Sequence, residues 1–162
     1  MGHSIHIGYL PGSIGRITEL HADYYSRHAG FGVHFESKVA RELSTFCENF
    51  EEGRDGLWLV PDHGRVEGAI VIDGSHAAAE GAHLRWFIVS DGLRGSGFGS
   101  RLLVSAIDFC RSCGYERVYL WTFEGLGAAR HLYEKHGFHL ARQQRGKQWG
   151  YEVDEQRFEL RI

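Results

Sequence analysis

The chain has 162 residues, of which 43% are hydrophobic, 24% charged and 13% aromatic. That length suits one domain over residues 1–162 with a core that needs no disulfide or structural metal, and the aromatic content argues against disorder. A formal net charge of -3 leaves no basic footprint for nucleic acid, no apolar run nears the roughly 20 residues of a membrane span, and three cysteines, an odd number, fit a reducing cytoplasm.

Met1-Gly2-His3-Ser4-Ile5-His6 has no basic stretch leading into an apolar one and does not read as a signal peptide. Ser4–Leu10 alternates loosely and predicts a first strand, broken by Pro11-Gly12-Ser13. Ser13 is the expected cap of a helix to about His28, with Ile14, Ile17, Leu20 and Tyr24 at helical spacing. A second helix is expected over Phe35–Phe50, on the stripe Phe35, Val39, Leu43, Phe46, Phe50. Leu57–Val60 and Arg65–Asp73 predict a hairpin turning at Asp62-His63-Gly64; Gly74–Gly81 reads as loop and His83–Val89 as a strand. A helix follows to about Cys113, with Phe98, Leu102, Leu103, Ala106, Phe109 and Cys110 inward and Gly114 ending it. Val118–Thr122 is a short buried strand, Leu126–His136 a helix closed by Gly137, and Phe138–Gln144 and Trp149–Leu160 two final strands. The predicted order is β-α-α-β-β-β-α-β-α-β-β, a mixed α/β (α+β) fold.

The segment Arg94-Gly95-Ser96-Gly97-Phe98-Gly99 carries most of the functional information. Three glycines within five positions are costly unless the backbone must approach something closely. The segment also opens a helix, where free N–H groups and the helix dipole favour an anion. A diphosphate laid there would meet several donors, with Arg94 adding a charge-assisted contact. A bare strand-to-helix turn is the alternative. The Walker pattern fits less well because Ser100-Arg101 follow where it needs Lys and Ser or Thr, which disfavours a nucleotide-phosphate binder. The Rossmann fingerprint is disfavoured because the spacing here is G-x-G-x-G, past the middle of the chain.

With these residues in view, the sequence resembles the GNAT superfamily of acetyl-CoA-dependent N-acetyltransferases. Arg94, Gly97 and Gly99 match the family's pyrophosphate motif, and Ala129-Arg130-His131-Leu132-Tyr133-Glu134-Lys135-His136-Gly137-Phe138 matches its A-x-x-L-Y-x-x-x-G-F signature. Trp86-Phe87-Ile88-Val89 sits where the family's central strand ends in a bulge. The likeness covers about Ile5 to Leu160 and implies a GNAT-like mixed central sheet. Leu84–Val89, Tyr119–Phe123 and Gln148-Trp149-Gly150 also look like the acetyltransferase half of bacterial proteins that join a MarR-type winged helix to a GNAT domain; no DNA binding follows. The family often carries Asn where Leu126 stands.

The resemblance implies that Phe87, Ile88, Val89, Arg94, Gly95, Ser96, Gly97, Phe98, Gly99, Ser100 and Ala129 hold acetyl-CoA as co-substrate. It places a backbone N–H near Ile88 or Val89 at the thioester oxygen and Tyr133 as general acid, a phenol of ordinary pKa about 10 that is protonated at neutral pH. Glu36 is the candidate base, a water chain its alternative, and Arg85, Trp86, Trp121 and Glu124 are candidates for the acceptor pocket. Tyr24, Tyr25, Phe31, Trp86 and Trp121 hint at an amphipathic amine; amino acid, polyamine, antibiotic and peptide N-terminus all stay open. The resemblance also allows a homodimer through the last strands, with apolar residues at Tyr151–Val153 and Phe158–Leu160 that could equally form an ordinary sheet face. Cys110 and Cys113 read as core rather than as a metal or redox pair, and no metal site is expected. His131, His136 and His139 lack metal-site spacing, and His28 and His34 only flank the expected acceptor loop. The competing function is a domain of the same fold that binds acyl-CoA without turnover.

Overall fold

The computed structural model describes residues 3–162, so Met1 and Gly2 of the expected 1–162 domain lie outside it. Chain order is β1 (His6–Ile7), α1 (Ser13–Ala29), α2 (Val33–Glu48), β2 (Gly56–Asp62), β3 (Arg65–Asp73), α3 (Ala77–Glu80), β4 (Ala82–Val89), α4 (Phe98–Ser112), β5 (Arg117–Phe123), α5 (Gly127–Lys135), β6 (His139–Gly146) and β7 (Val153–Arg161). This is the expected order with one addition, the single turn α3 inside the stretch read as loop; a 3-10 turn at Asp91–Leu93 also follows β4. The strands form one seven-stranded sheet, ordered β1-β2-β3-β4-β5-β7-β6. Only β4 and β5 run parallel.

Helical periodicity decides which faces are buried. On α2, Phe35, Val39, Leu43 and Phe46 are buried as the stripe requires, while Phe50 lies past the helix end and is 37% exposed. Ile17 of α1, Leu43 and Phe46 pack with Leu57, Leu59, Ala69, Val71 and Ile88 on one face of the sheet. Phe98, Leu102, Leu103, Ala106 and Cys110 of α4 pack on the other, against Val60, Ile70, Ile72, Leu84 and Leu120. Each such large side chain contributes about 1.5–3 kcal/mol by leaving water. Cys110 is a buried member of this core and all three cysteines are free.

Three differences from the sequence reading have local causes. Ser13 does not cap α1; Gly12 does, in the left-handed region, and the Ser13 hydroxyl instead donates to the Leu10 carbonyl at 2.6 Å. β1 shrinks to two residues because Gly8 turns away at φ 100. β7 starts at Val153, since the preceding residues leave the sheet to meet the α1–α2 loop. Phe158 and Leu160, expected to serve a dimer, are buried in the core under α4 and α5. Among the described residues no helix is long and apolar enough to cross a membrane.

Candidate active site

The site starts from a flaw in the sheet. β4 pairs with β5 only at Ala82–Val118 and His83–Tyr119, so from Leu84 onward the edge of β4 that faces β5 has no strand partner. On its other side, β4 pairs Arg85 with Val71 and Ile88 with Ala69, leaving Trp86 and Phe87 together opposite Ile70. That bulge sits where the family resemblance implies one. Trp86 takes φ 47, a costly conformation for a bulky residue. The Arg85 guanidinium lies 4.1 Å from the Trp86 ring centroid, and Phe46 packs on the same ring at 5.8 Å.

Past β4 the chain turns through Arg94–Gly99 into α4. Gly95 and Gly97 hold φ 78 and 86, and a Cβ on either would meet nothing within 4 Å, so the space over these turns is open. Gly97 caps α4 with no side-chain hydrogen bond. The amides of Gly95, Gly97, Phe98, Gly99 and Ser100 find no acceptor among the described residues. This amide cradle, five free N–H groups at and just before a helix N-terminus, suits an anion. Phe98 divides its roles, its ring buried in the core and its amide in the cradle. Arg94 is tethered beside it, with Nε 3.2 Å from Asp91 Oδ1, Nη2 donating to the Val89 carbonyl at 3.2 Å, and Cζ 4.6 Å from the Tyr24 ring. The Ser100 hydroxyl lies 3.0 Å from His136 Nε2. Ala129 is half-buried in the first turn of α5, where its N–H has no intrahelical acceptor.

A cleft of about 340 Å³ opens where β4 and β5 part. Arg85, Trp86, Phe87, Trp121 and Tyr133 line it, together with residues the sequence did not single out for it: His21, Lys38, Glu42 and His83. Tyr133 is 7% exposed, with Phe87, Phe138 and Phe158 around its ring. Burial, then the nearby Tyr25 and Tyr24 phenols, push its pKa well above the usual phenol value, so it keeps its proton. Burial also lowers His21 to about 4, partly countered by its Nδ1 contact with the Ile17 carbonyl at 2.8 Å. A carbonyl only accepts, so Nδ1 carries the hydrogen and Nε2 keeps a free lone pair. His83, stacked on Tyr119, is held well below its usual value by burial, then by the Arg85 and Arg157 charges. For Glu42, burial acts upward, but Arg85 and Lys38 outweigh it and leave the carboxyl below its ordinary value.

Two expected site residues lie elsewhere. Glu36 is exposed on the outer side of α2, in a separate hollow with Ala22, Ser26 and Ser37. Helical geometry explains this: the inward positions of α2 are Phe35, Val39 and Leu43, and Glu36 is off that stripe. Glu124 is exposed just past β5, its amide donating to the Asp154 carbonyl at 2.9 Å as the chain turns at Gly125. Ile88 is buried on the α1–α2 face, so only its backbone borders the free edge of β4. His28 and His34 are exposed and outside the cleft. Among the described residues no three His, Cys, Asp or Glu gather as metal ligands. Sequence reasoning did not single out Lys38, Glu42, His21 and His83; Glu42 and His21 lie on the apolar stripes of α2 and α1, seven positions after Phe35 and four after Ile17, but the partners that make a site of them are distant, Glu42 meeting Arg85 across 43 positions.

The β6–β7 loop closes one side of the cleft. Tyr151 stacks on Phe31 with centroids 4.8 Å apart, and its hydroxyl accepts from the Gly32 amide at 2.7 Å. Both contact points are tight for a side chain: a Cβ on Gly32 would stand 3.0 Å from the Tyr151 oxygen, and one on Gly150, which also holds φ 90, 3.0 Å from His34 Cβ.

Among curated proteins none matches the sequence significantly. Solved structures match along nearly the whole chain. A GNAT-family protein from Desulfovibrio desulfuricans is 20% identical, with 99% of each chain covered and a TM-score of 0.75. A Salmonella typhimurium protein, solved with its cofactor acetyl-CoA, is 18% identical over 99% of this chain and 94% of its own, at TM-score 0.76. The ribosomal-protein-S18-alanine N-acetyltransferase of Escherichia coli is 21% identical over 98% and 94%, at TM-score 0.68. At such identities these likenesses speak for the fold. The sequence itself matches the Acetyltransferase (GNAT) family over residues 15–138, a span that holds the parted strands, the amide cradle and Tyr133, and the chain therefore belongs to that family.

Proposed function

We propose that this protein is an N-acetyltransferase that carries the acetyl group of acetyl-CoA to the amine of a small molecule. GNAT enzymes use acetyl-CoA as co-substrate. The observation that carries the proposal is that the unpaired edge of β4 links the amide cradle at Gly95–Ser100 to the cleft that contains Tyr133. The cradle suits a diphosphate, Arg94 adds charge beside it, and the free backbone from Leu84 to Val89, with the Phe87 ring and the Ala129 amide, suits an extended amide-bearing arm. Bound there, acetyl-CoA supplies an acyl group already activated as a thioester.

The chain's own residues do the rest. The cleft walls hold the amine near the end of β4 and exclude water. An N–H at Ile88 or Val89 is the proposed donor to the carbonyl oxygen. Tyr133 retains its proton in this buried setting and is the donor for the departing sulfur. With Glu36 outside the cleft, the proposed proton acceptor is His21, whose Nε2 is free and whose neutral form is maintained by burial. A cleft of about 340 Å³ lies at the small end of ligand pockets, which span roughly 300–1,000 Å³, and favours a small acceptor.

Isothermal titration with acetyl-CoA, ATP and NADH tests the first step. Binding of acetyl-CoA alone is expected, followed by release of free thiol when an amine panel is added. Binding of ATP in place of acetyl-CoA would remove the proposal.

A further inference from the structure

The cleft ends in a cluster of charge that proton transfer does not use. Arg85 Nη2 donates to Glu42 Oε1 at 2.5 Å, and Lys38 Nζ lies 3.2 Å from Glu42 Oε2. Glu42 is the one carboxylate among the residues lining the cleft, against the two cations. Asp73 does not line it, lies 3.9 Å from Arg85 Nη1, beyond hydrogen-bond range, and binds Ser75 through its other oxygen. His83, between Arg85 and Arg157, is kept neutral. Among the lining side chains two cations face one carboxylate; Asp73 pairs with Arg85 at ion-pair range and Glu155 feels the Lys38 charge from outside the lining, so what the cleft offers is spare donors on a fixed cation. Nε and Nη1 of Arg85 make no hydrogen bond among the described residues. The guanidinium is nevertheless fixed, since Trp86 covers one face and Glu42 holds one edge. A pre-placed planar fork with spare donors suits a carboxylate.

The co-substrate's phosphates do not account for this charge. The cradle begins beyond Val89, which lies four steps along the strand from Arg85, roughly 13 Å of extended chain. The other walls are aromatic: Phe35, Trp86, Trp121, Phe123 and Trp149. A polyamine or other polycation would bring further positive charge to Lys38 and Arg85.

We propose that the acceptor is an aromatic α-amino acid or a close relative, its carboxylate held by Arg85 and Lys38 and its ring by the aromatic walls. This rests on the N-acetyltransferase reading. The amine nitrogen bonds to the acetyl carbon, the carbon–sulfur bond breaks with its electron pair going to sulfur, and the proton that nitrogen loses balances the one sulfur gains. The carboxylate is unchanged.

The test pairs tryptophan with tryptamine and phenylalanine with phenethylamine, with acetyl-CoA as donor and thiol release as readout. The acid of each pair is expected to show at least about tenfold higher kcat/KM, the worth of a charged hydrogen bond. Arg85→Gln and Lys38→Met should each shrink that preference to within about twofold, mainly through KM. Equal or better use of the decarboxylated amines overturns the proposal. A second readout needs no turnover: with CoA present, N-acetylphenylalanine should bind and N-acetylphenethylamine should bind at least about tenfold more weakly. If acetyl-CoA binds but neither product does, the acceptor class is wrong and the cofactor reading stands. If acetyl-CoA itself fails to bind, the reading beneath it falls.

Discussion

The two sides of this site are built from different material. The cradle at Gly95–Ser100 is backbone: consecutive amides, two glycines in left-handed conformation and a helix N-terminus, all within a few residues. The cleft wall opposite is made of side chains from α1, α2, β4, β5, α5 and the β6–β7 loop. The first kind tolerates little change because a left-handed turn accepts few residues. The second can be rebuilt one side chain at a time while the sheet beneath stays intact, which is how one fold serves many acceptors.

That contrast can be broken experimentally. The largest effect is expected at Tyr133, where the two sides meet. Tyr133→Phe should lower kcat by a hundredfold or more, as loss of a general acid does, while acetyl-CoA affinity stays within about twofold. Stability should move by no more than about 1 kcal/mol, because the phenol lines the cleft and makes no hydrogen bond among the described residues. Retained turnover would remove Tyr133 from the chemistry; retained binding with no turnover even in the native protein would favour the non-catalytic acyl-CoA-binding alternative.

His21 comes next. Its folded pKa is about 4, against an unperturbed 6.5, so between these values the unfolded chain binds a proton that the folded protein refuses. Stability should therefore fall as pH drops through this window, by about 3 kcal/mol at its lower end. His83 acts in the same direction. Urea unfolding at several pH values should show a flatter profile in His21→Gln; an unchanged slope would mean that His21 is solvated.

On the cradle side, Gly97→Val places a branched side chain at φ 86 and in the open space above the turn. Acetyl-CoA should bind at least about tenfold more weakly, a loss of about 1.4 kcal/mol. The smallest expected effect sharpens the other side: Glu36→Gln, on the outer surface of α2, should leave kcat/KM and stability nearly unchanged. A large loss of kcat would return Glu36 to the mechanism.

The sequence alone determined the element order, the faces of α2 and α4 and the glycine-rich turn into α4. These follow from short-range rules: a 3.6-residue apolar period, the cost of glycine outside special turns, and the free amides of a helix start. It placed Tyr133 through a motif within one helix. The bulge near Trp86 follows only from the family resemblance. Only the tertiary structure decided which carboxylate and which imidazoles face the cleft. Glu42 falls on the apolar stripe of α2, seven positions after Phe35 and four before Phe46, whereas Glu36, the candidate base in the sequence, lies off it. Periodicity thus turns Glu42 toward the sheet, but only the fold shows that it meets Arg85 of β4 there, across 43 positions, beside the gap between β4 and β5. That meeting is a long-range property, set by where the two strands part and how α2 lies across the gap.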